Sequence, residues 1–108
     1  MVDHGLSESQ LQVIRAILAP FAESIESVGL FGSRATGRFR PNSDIDMVLY
    51  GPIDEAMQDR IATLFDESPL AVDVDVVAYA LIAYPALRAH IDAVMRPLFT
   101  RAELRDAG

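Results

Sequence analysis

The feature that most constrains this chain is a short alternating segment in which two aspartates open an apolar run. Asp44 and Asp46 flank Ile45 and lead directly into the apolar residues 47–50. Because residues i and i+2 of a strand point to the same face, a strand here places both carboxylates on one side of the sheet. Neighbouring carboxylates repel each other, so such a pair needs a compensating cation or a raised pKa. The segment therefore predicts a strand whose start holds a hard divalent ion such as Mg2+ through oxygen ligands.

A Gly-Ser pair stands ten residues before the aspartates. Gly32-Ser33 follows the apolar residues 28–31, which predict a strand, and precedes Arg34 in a segment that predicts a short helical turn. A strand-to-helix turn of this kind presents backbone N–H groups to an anion. A phosphate-accepting turn together with a metal-holding carboxylate pair indicates phosphoryl or nucleotidyl transfer.

This combination resembles the nucleotidyltransferase superfamily defined by DNA polymerase beta. In that family a Gly-Ser pair, a spacer and Asp-x-Asp precede a third acidic residue on a later strand, and Gly32-Ser33 with the two aspartates fits the first part. The sequences of residues 30–35 and 43–46 are most similar to those of the minimal nucleotidyltransferases (MNT). These are small prokaryotic proteins usually paired with a HEPN-domain protein. The resemblance covers roughly residues 11–99.

The resemblance implies that Asp44 and Asp46 bind metal. In the two-metal scheme of such enzymes, the metal is two Mg2+ ions. The third carboxylate is Asp75 or Asp73, since both lie on one face of the alternating segment 71–77, which predicts a third strand. The family usually reads Val-Asp-aliphatic-Val here and both positions fit, while the spacing to the following helix favours Asp75. Its implied roles are general base for the incoming hydroxyl and ligand to the second metal.

The resemblance also implies that Gly32 and Ser33 bind the polyphosphate of ATP, glycine by allowing close approach and serine by donating a hydrogen bond. Arg34 adjoins this turn and is the candidate for the triphosphate, because the planar donors of arginine suit phosphate oxygens. Arg38 and Arg40 complete the basic cluster and are expected in a solvated loop or a partner contact.

Apolar periodicity predicts an α/β (α+β) fold with a small mixed β-sheet and helices packed mainly on one face, and the resemblance implies the same nucleotidyltransferase architecture. The length predicts a single domain, 1–108, with its core at about 11–99. A capping box at Ser7 opens the first helix, and Asp54 or Glu55 suits the start of the second. The predicted helices are 11–21, 53–67 and 84–95, and the predicted strands are 28–31, 44–50 and 71–77, with a short last strand at 98–100 and a polar tail at 101–108.

Composition excludes several classes of function. The net charge of −7 argues against direct nucleic-acid binding, which needs clustered Lys and Arg. The absence of cysteine excludes disulfides, and without a long apolar run or a basic start neither a membrane segment nor a signal peptide is predicted. We expect a cytoplasmic protein that forms homo- or hetero-oligomers through apolar helix faces. His4 and His90 form no catalytic arrangement, and His90 is expected to be structural or exposed.

The function that the resemblance implies is an Mg2+-dependent transfer of AMP from ATP to a hydroxyl, with release of pyrophosphate. The implied acceptor is a tyrosine of a HEPN-type toxin, which would make this chain the antitoxin of a toxin–antitoxin pair. Two alternatives stay open: a non-catalytic antitoxin or binding module that neutralises its partner by complex formation, and a small-molecule nucleotidyltransferase that needs a separate substrate-binding chain. The intact carboxylates count against the first, and the short tail after Thr100 counts against the second.

Overall fold

The computed structural model describes residues 4–106, which form four strands and five α-helices. In chain order the elements are α1 (Glu8–Leu18), β1 (Ser27–Phe31), α2 (Ser33–Thr36), β2 (Ile45–Tyr50), α3 (Glu55–Asp66), β3 (Val74–Ala78), α4 (Pro85–Val94), β4 (Arg96–Thr100) and α5 (Arg101–Asp106). Short 3-10 turns follow α1 and β3, at Ala19–Phe21 and Tyr79–Leu81. Among residues 4–106, every helix is too short or too polar to span a bilayer.

The four strands form one mixed sheet in the order β3-β2-β1-β4. β1 pairs antiparallel with both β2 and β4, whereas β2 and β3 are parallel and are connected through α3. A parallel pair needs such a crossover because the chain must return to the same end of the sheet before the second strand begins. The mixed α/β architecture predicted from the apolar periodicity is therefore confirmed.

Helices cover both faces of the sheet, but unequally. α1, α3 and α5 pack on one face, where they enclose the larger core with inward strand residues such as Met47. α4 covers the other face, where its buried Ile91 packs with Phe31 and Val48. Because side chains alternate along a strand, Asp46 projects to the same face as Val48, which is the α4 side. The prediction of helices mainly on one face is confirmed, and the acidic site lies on the face with the single helix.

The capping box predicted at Ser7 is confirmed, whereas α3 begins two residues after the predicted start at Ile53. The Ser7 hydroxyl accepts a hydrogen bond from the Gln10 N–H at 3.2 Å while Gln10 Oε1 accepts one from the Ser7 N–H at 2.8 Å, which is a capping box. Asp54 caps α3 by accepting a hydrogen bond from the Met57 N–H at 2.8 Å. These side chains satisfy amides that have no partner inside the helix, so they fix where α1 and α3 begin.

The second and third strands begin later than predicted. β2 begins at Ile45 and β3 begins after Asp73, so Asp44 and Asp73 lie in the preceding loops and are exposed there. The ladder between these strands starts where the Ile45 N–H donates to the Asp73 carbonyl oxygen at 2.9 Å. One aspartate of each predicted pair, Asp46 and Asp75, therefore lies within the sheet.

The prediction of a polar tail after Thr100 is wrong. Residues 101–106 form α5, and Leu104 is fully buried in the core shared with α1. Arg101 holds the start of this helix, since its side chain donates to three carbonyl oxygens of residues 22–25 at 3.0–3.3 Å. A single leucine gives too little apolar periodicity to predict a helix, although it is enough to dock one. The last two positions of the predicted tail lie outside the described residues.

We expect Leu104→Ala to lower the free energy of unfolding by about 2–4 kcal/mol, because it removes a buried side chain and leaves a cavity. Leu81→Ala is the matched control: Leu81 is 37% exposed, so losing the same atoms there should cost less than about 1 kcal/mol. Urea unfolding followed by circular dichroism measures both costs. Equal costs for the two variants would contradict a docked α5.

Candidate active site

The predicted site residues meet at one end of the sheet, where three strands are in register. Phe31 at the end of β1 pairs with Asp46 in β2, and Asp46 pairs with Asp75 in β3. Residues directly opposite each other on neighbouring strands carry their side chains on the same face. The carboxyl groups of Asp46 and Asp75 therefore lie side by side, and Gly32, which follows Phe31, lies next to them.

Gly32 is in direct contact with the Asp46 carboxylate. Its backbone has φ 70° and ψ −150°, a conformation that glycine adopts and other residues avoid. A Cβ built at this position would overlap Asp46 Oδ2. Glycine is therefore required for two independent reasons, and a larger residue would displace either the carboxylate or the turn that begins α2.

The Asp46 carboxyl is half-buried, and its pKa is raised above the ordinary value. Burial is the largest cause, followed by the negative charges of Asp75 and Asp44 and a hydrogen bond with Asp75. The charge of His90 lowers the same pKa. Because a cation placed beside the carboxylates would relieve the charge repulsion, this arrangement favours binding of a positive ion.

Asp75, rather than Asp73, is the neighbour of Asp46. Asp75 lies within β3, is exposed, and is close enough to the Asp46 carboxyl to raise its pKa. Asp73 precedes the strand, and it contributes its backbone carbonyl oxygen to the hydrogen bond with Ile45. Alternation in the sequence could not separate these two aspartates, whereas the strand register does.

Asp44 adds a third acid at the start of β2. It lies in the loop just before the strand, is exposed, and raises the pKa of Asp46 through its charge. Its donors, like those of Asp46 and Asp75, are carboxylate oxygens, the ligands that Mg2+ prefers. Within residues 4–106, no three His, Cys, Asp or Glu side chains already have the arrangement of a complete metal site. The donor chemistry fits a divalent cation, and the carboxylates would have to converge on it.

Ser33 opens α2, a single turn of four residues. The N–H groups of Ala35 and Thr36 donate to the Gly32 carbonyl oxygen at 3.1 and 3.2 Å, which folds the turn directly after β1. The first amides of a helical turn have no partner inside it. The turn therefore offers the amides of Ser33 and Arg34, with the Ser33 hydroxyl, as donors beside the acids.

Arg34 is a buried residue, with 1% of its surface exposed. Its guanidinium donates to the carbonyl oxygens of His4 (2.9 Å), Ser43 (2.9 Å) and Pro41 (3.5 Å). Contact with a triphosphate would require these bonds to be exchanged, so that role stays a prediction from the sequence. The other two arginines of the basic cluster are exposed on the following loop.

His90 is a residue that the sequence analysis did not place near the acids. It is exposed, its ring meets the Phe31 ring edge-on with centroids 6.2 Å apart and planes at 79°, and its charge lowers the pKa of Asp46. No local pattern marks this histidine, because its position depends on how α4 packs against β1. A group that can carry positive charge therefore accompanies the three acids.

The sequence matches a known protein family along most of its length. The family model described as "Polymerase beta, Nucleotidyltransferase" matches residues 12–104. The chain is also 30% identical over 77 residues to a Haemophilus influenzae protein named "Probable protein adenylyltransferase MntA". This similarity covers 69% of the chain and 67% of that protein.

Solved structures share the fold. The crystal structure of a toxin–antitoxin complex with AMP-PNP superimposes with a TM-score of 0.67 at 22% identity, covering 89% of this chain and 81% of that one. A mutant MntA–HpeT toxin–antitoxin structure superimposes with a TM-score of 0.65 at 20% identity, covering 94% of this chain and 82% of that one. Since the family model spans residues 12–104 and the MntA relative is 30% identical, this chain belongs to the polymerase beta nucleotidyltransferase family, as a minimal nucleotidyltransferase of the MntA-like kind.

Proposed function

We propose that this protein transfers AMP from ATP, with Mg2+, to a tyrosine hydroxyl of a HEPN-type toxin and thereby serves as its antitoxin. The Haemophilus influenzae relative bears the name of a probable protein adenylyltransferase. One structure with the same fold is a toxin–antitoxin complex with AMP-PNP. These likenesses support a nucleoside triphosphate as the donor and a toxin as the partner.

The observation that carries the proposal is the position of Asp46, which has Asp75 on one side and the Gly32 turn on the other. Nucleotidyl transfer needs acids that can hold a cation next to a turn that accepts phosphate, because negative charge develops where the bond to pyrophosphate breaks. The strand register and the glycine contact make these two features adjacent. A turn alone or an acidic strand alone would support a much weaker conclusion.

Asp44, Asp46 and Asp75 would hold two Mg2+ ions. The fit rests on an all-oxygen donor set and on the mutual repulsion that raises the pKa of Asp46. When bound, the metal neutralises phosphate charge and orients the attacking and leaving oxygens. Asp46 is the half-buried member of the group, and Asp44 and Asp75 are exposed.

The remaining residues orient the nucleotide and accept a proton. The amides and the hydroxyl at Gly32-Ser33 bind the polyphosphate, which places the α-phosphorus in front of the acids. Asp75 accepts the proton of the tyrosine hydroxyl, while the tyrosine oxygen forms the bond to the α-phosphorus. The bond between the α-phosphorus and the bridging oxygen breaks, and pyrophosphate leaves.

The acceptor comes from a second protein in this proposal. Because Asp44 and Asp75 are exposed, a tyrosine of a partner can reach the site without opening the fold. The net charge of −7 suits a partner with a basic surface, which would steer the encounter. We place this hetero-oligomer in the cytoplasm, a compartment that suits a chain without cysteine.

The direct test is incubation with labelled ATP, Mg2+ and a candidate HEPN-domain protein, followed by mass spectrometry of both chains. We expect AMP-sized additions on a tyrosine of the partner. Asp75→Asn should slow the transfer at least about 100-fold, because the proton acceptor and a metal ligand are lost. Asp73→Asn, the same change two positions away, should leave the rate near that of the wild type. Equal losses for both variants would contradict the role of Asp75.

Two further measurements separate the alternatives. If the wild type binds the partner without transferring AMP, and Asp44→Asn/Asp46→Asn binds it equally well, the chain is a binding module. Calorimetry with α,β-methylene-ATP and Mg2+ tests the isolated chain, because this analogue cannot lose pyrophosphate. If the chain binds the analogue but does not transfer AMP from ATP to the candidate protein, the acceptor is a different one, such as a small molecule. Absence of both would contradict the enzymatic proposal.

The raised pKa of Asp46 predicts a stability effect in the metal-free protein. A carboxyl whose pKa is higher in the folded state binds more protons when folded, so its charged form costs stability at neutral pH. That cost disappears as the pH falls through the folded pKa. We therefore expect Asp46→Asn to raise the thermal midpoint at about pH 7.5 in EDTA, with no gain below about pH 3.5.

Differential scanning calorimetry at the two pH values measures this effect. Asp59→Asn, at an exposed position of α3, controls for the change in net charge. A lower midpoint for Asp46→Asn at neutral pH, in the absence of metal, would show that the carboxylate stabilises the fold, which is opposite to the expectation.

A further inference from the structure

Arg34 is a buried cation whose partners are backbone carbonyl oxygens. Within residues 4–106, Arg105 forms an ion pair with Glu23, whereas Arg34 forms none. Burial lowers the pKa of its guanidinium, and removing a cation from water is costly unless hydrogen bonds replace the lost hydration. The chain therefore keeps a charge here for the bonds that the guanidinium makes.

The acceptors of Arg34 belong to two segments that are far apart in the sequence. Nη1 donates to the carbonyl oxygen of His4, and Nη2 donates to that of Ser43, each at 2.9 Å. The first segment is anchored, since Leu6 is buried in the main core. The second segment leads directly to Asp44. One planar group therefore connects an anchored part of the chain to the loop that carries the first acid.

Phe39 strengthens this connection. Its ring centroid lies 5.3 Å from the guanidinium carbon of Arg34, and a Cβ on Gly5 would overlap the same ring. The loop is also bonded to itself, because the Arg40 N–H donates to Ser43 Oγ at 2.7 Å and the Ser43 N–H donates to the Arg40 carbonyl oxygen at 2.9 Å. These contacts order the loop, and Arg34 fixes the ordered loop to the rest of the protein.

Asp44 lies between two held positions. The Ser43 carbonyl oxygen is bonded by Arg34, and the Ile45 N–H is bonded by the Asp73 carbonyl oxygen. We propose that Arg34 is a positioning residue that fixes the Asp44 carboxylate at the site by holding the Ser43 carbonyl oxygen. The role of the positioned Asp44 in metal binding rests on the function proposed above, but the positioning by Arg34 does not.

The test compares Arg34→Lys with Arg101→Lys. Arg101 is a matched control, because its side chain also donates to three backbone carbonyl oxygens but does so at α5, among residues 22–25. Lysine keeps the charge and loses the planar fork that reaches several acceptors at once. Both variants should lose similar stability, and only the first should loosen Asp44.

The decisive readout is backbone order in the metal-free protein, measured by 15N relaxation. In the wild type and in Arg101→Lys, we expect the Asp44 amide to have an order parameter near about 0.85, the value of rigid backbone. In Arg34→Lys we expect it to fall below about 0.6. A rigid Asp44 in Arg34→Lys, or an equal loss of order in both variants, would overturn the proposal. Should Arg34→Lys fail to fold, the wild type alone still tests the proposal: an order parameter below about 0.6 for its Asp44 amide would show that the bond at Ser43 does not hold this position, and would likewise overturn it.

Binding of Mn2+ by electron paramagnetic resonance provides the second readout. We expect Arg34→Lys to bind Mn2+ about tenfold more weakly than the wild type, as is usual when support for a metal ligand is lost, and Arg101→Lys to bind it normally. If Arg34→Lys bound Mn2+ as tightly as the wild type, the result would contradict a role of the positioning in metal binding. If the wild type binds no Mn2+ while Asp44 loosens as expected, the proposed function fails and the positioning role stands.

Discussion

The contact between the Asp46 carboxylate and the backbone of Gly32 is the constraint on which the rest of this site depends. It fixes the identity of residue 32, because a side chain there would overlap the carboxylate. It also places the turn that begins α2 beside the acids. The strands bring the two residues to the same end of the sheet, but without the glycine they could not come this close.

The same end of the sheet collects charges that the fold alone would not place together. Burial and the charges of two neighbouring acids disfavour the ionised form of Asp46, and they raise its pKa. His90 from α4 compensates in part, while Arg34 directs its own charge to backbone oxygens instead of to an acid. Perturbed pKa values of this kind cluster at functional sites, where the chemistry requires charged groups to lie close together.

Much of the fold and part of the site could be predicted from the sequence. The helices α1, α3 and α4 and the first three strands follow from apolar periodicity and from breakers such as Gly51 and Pro52, which are local signals. Alternation treats Asp73 and Asp75 alike, so only the spacing to the following helix favoured Asp75, and the pairing of β2 with β3 is what places Asp75 beside Asp46.

Other features were missed because they depend on contacts between distant segments. A charged residue such as Arg34 suggests the surface, and only its carbonyl acceptors explain its burial. His90 adjoins Phe31 because of the way α4 packs. The docking of α5 through Leu104 likewise depends on the core that α1 provides. In each case the decisive partner lies far away in the chain.

The parallel pairing of β2 with β3 has a consequence for how the acidic pair is assembled during folding. Gly32 and Asp46 come together through neighbouring antiparallel strands, with a connection short enough for early closure. Asp75 can join them only after the whole α3 crossover has folded, since a parallel strand pairs through a long connection. Contacts of greater sequence separation form at a greater entropic cost. A nascent chain that has just emerged beyond β2 therefore carries the turn and two aspartates, but the carboxylate pair is completed only by later folding.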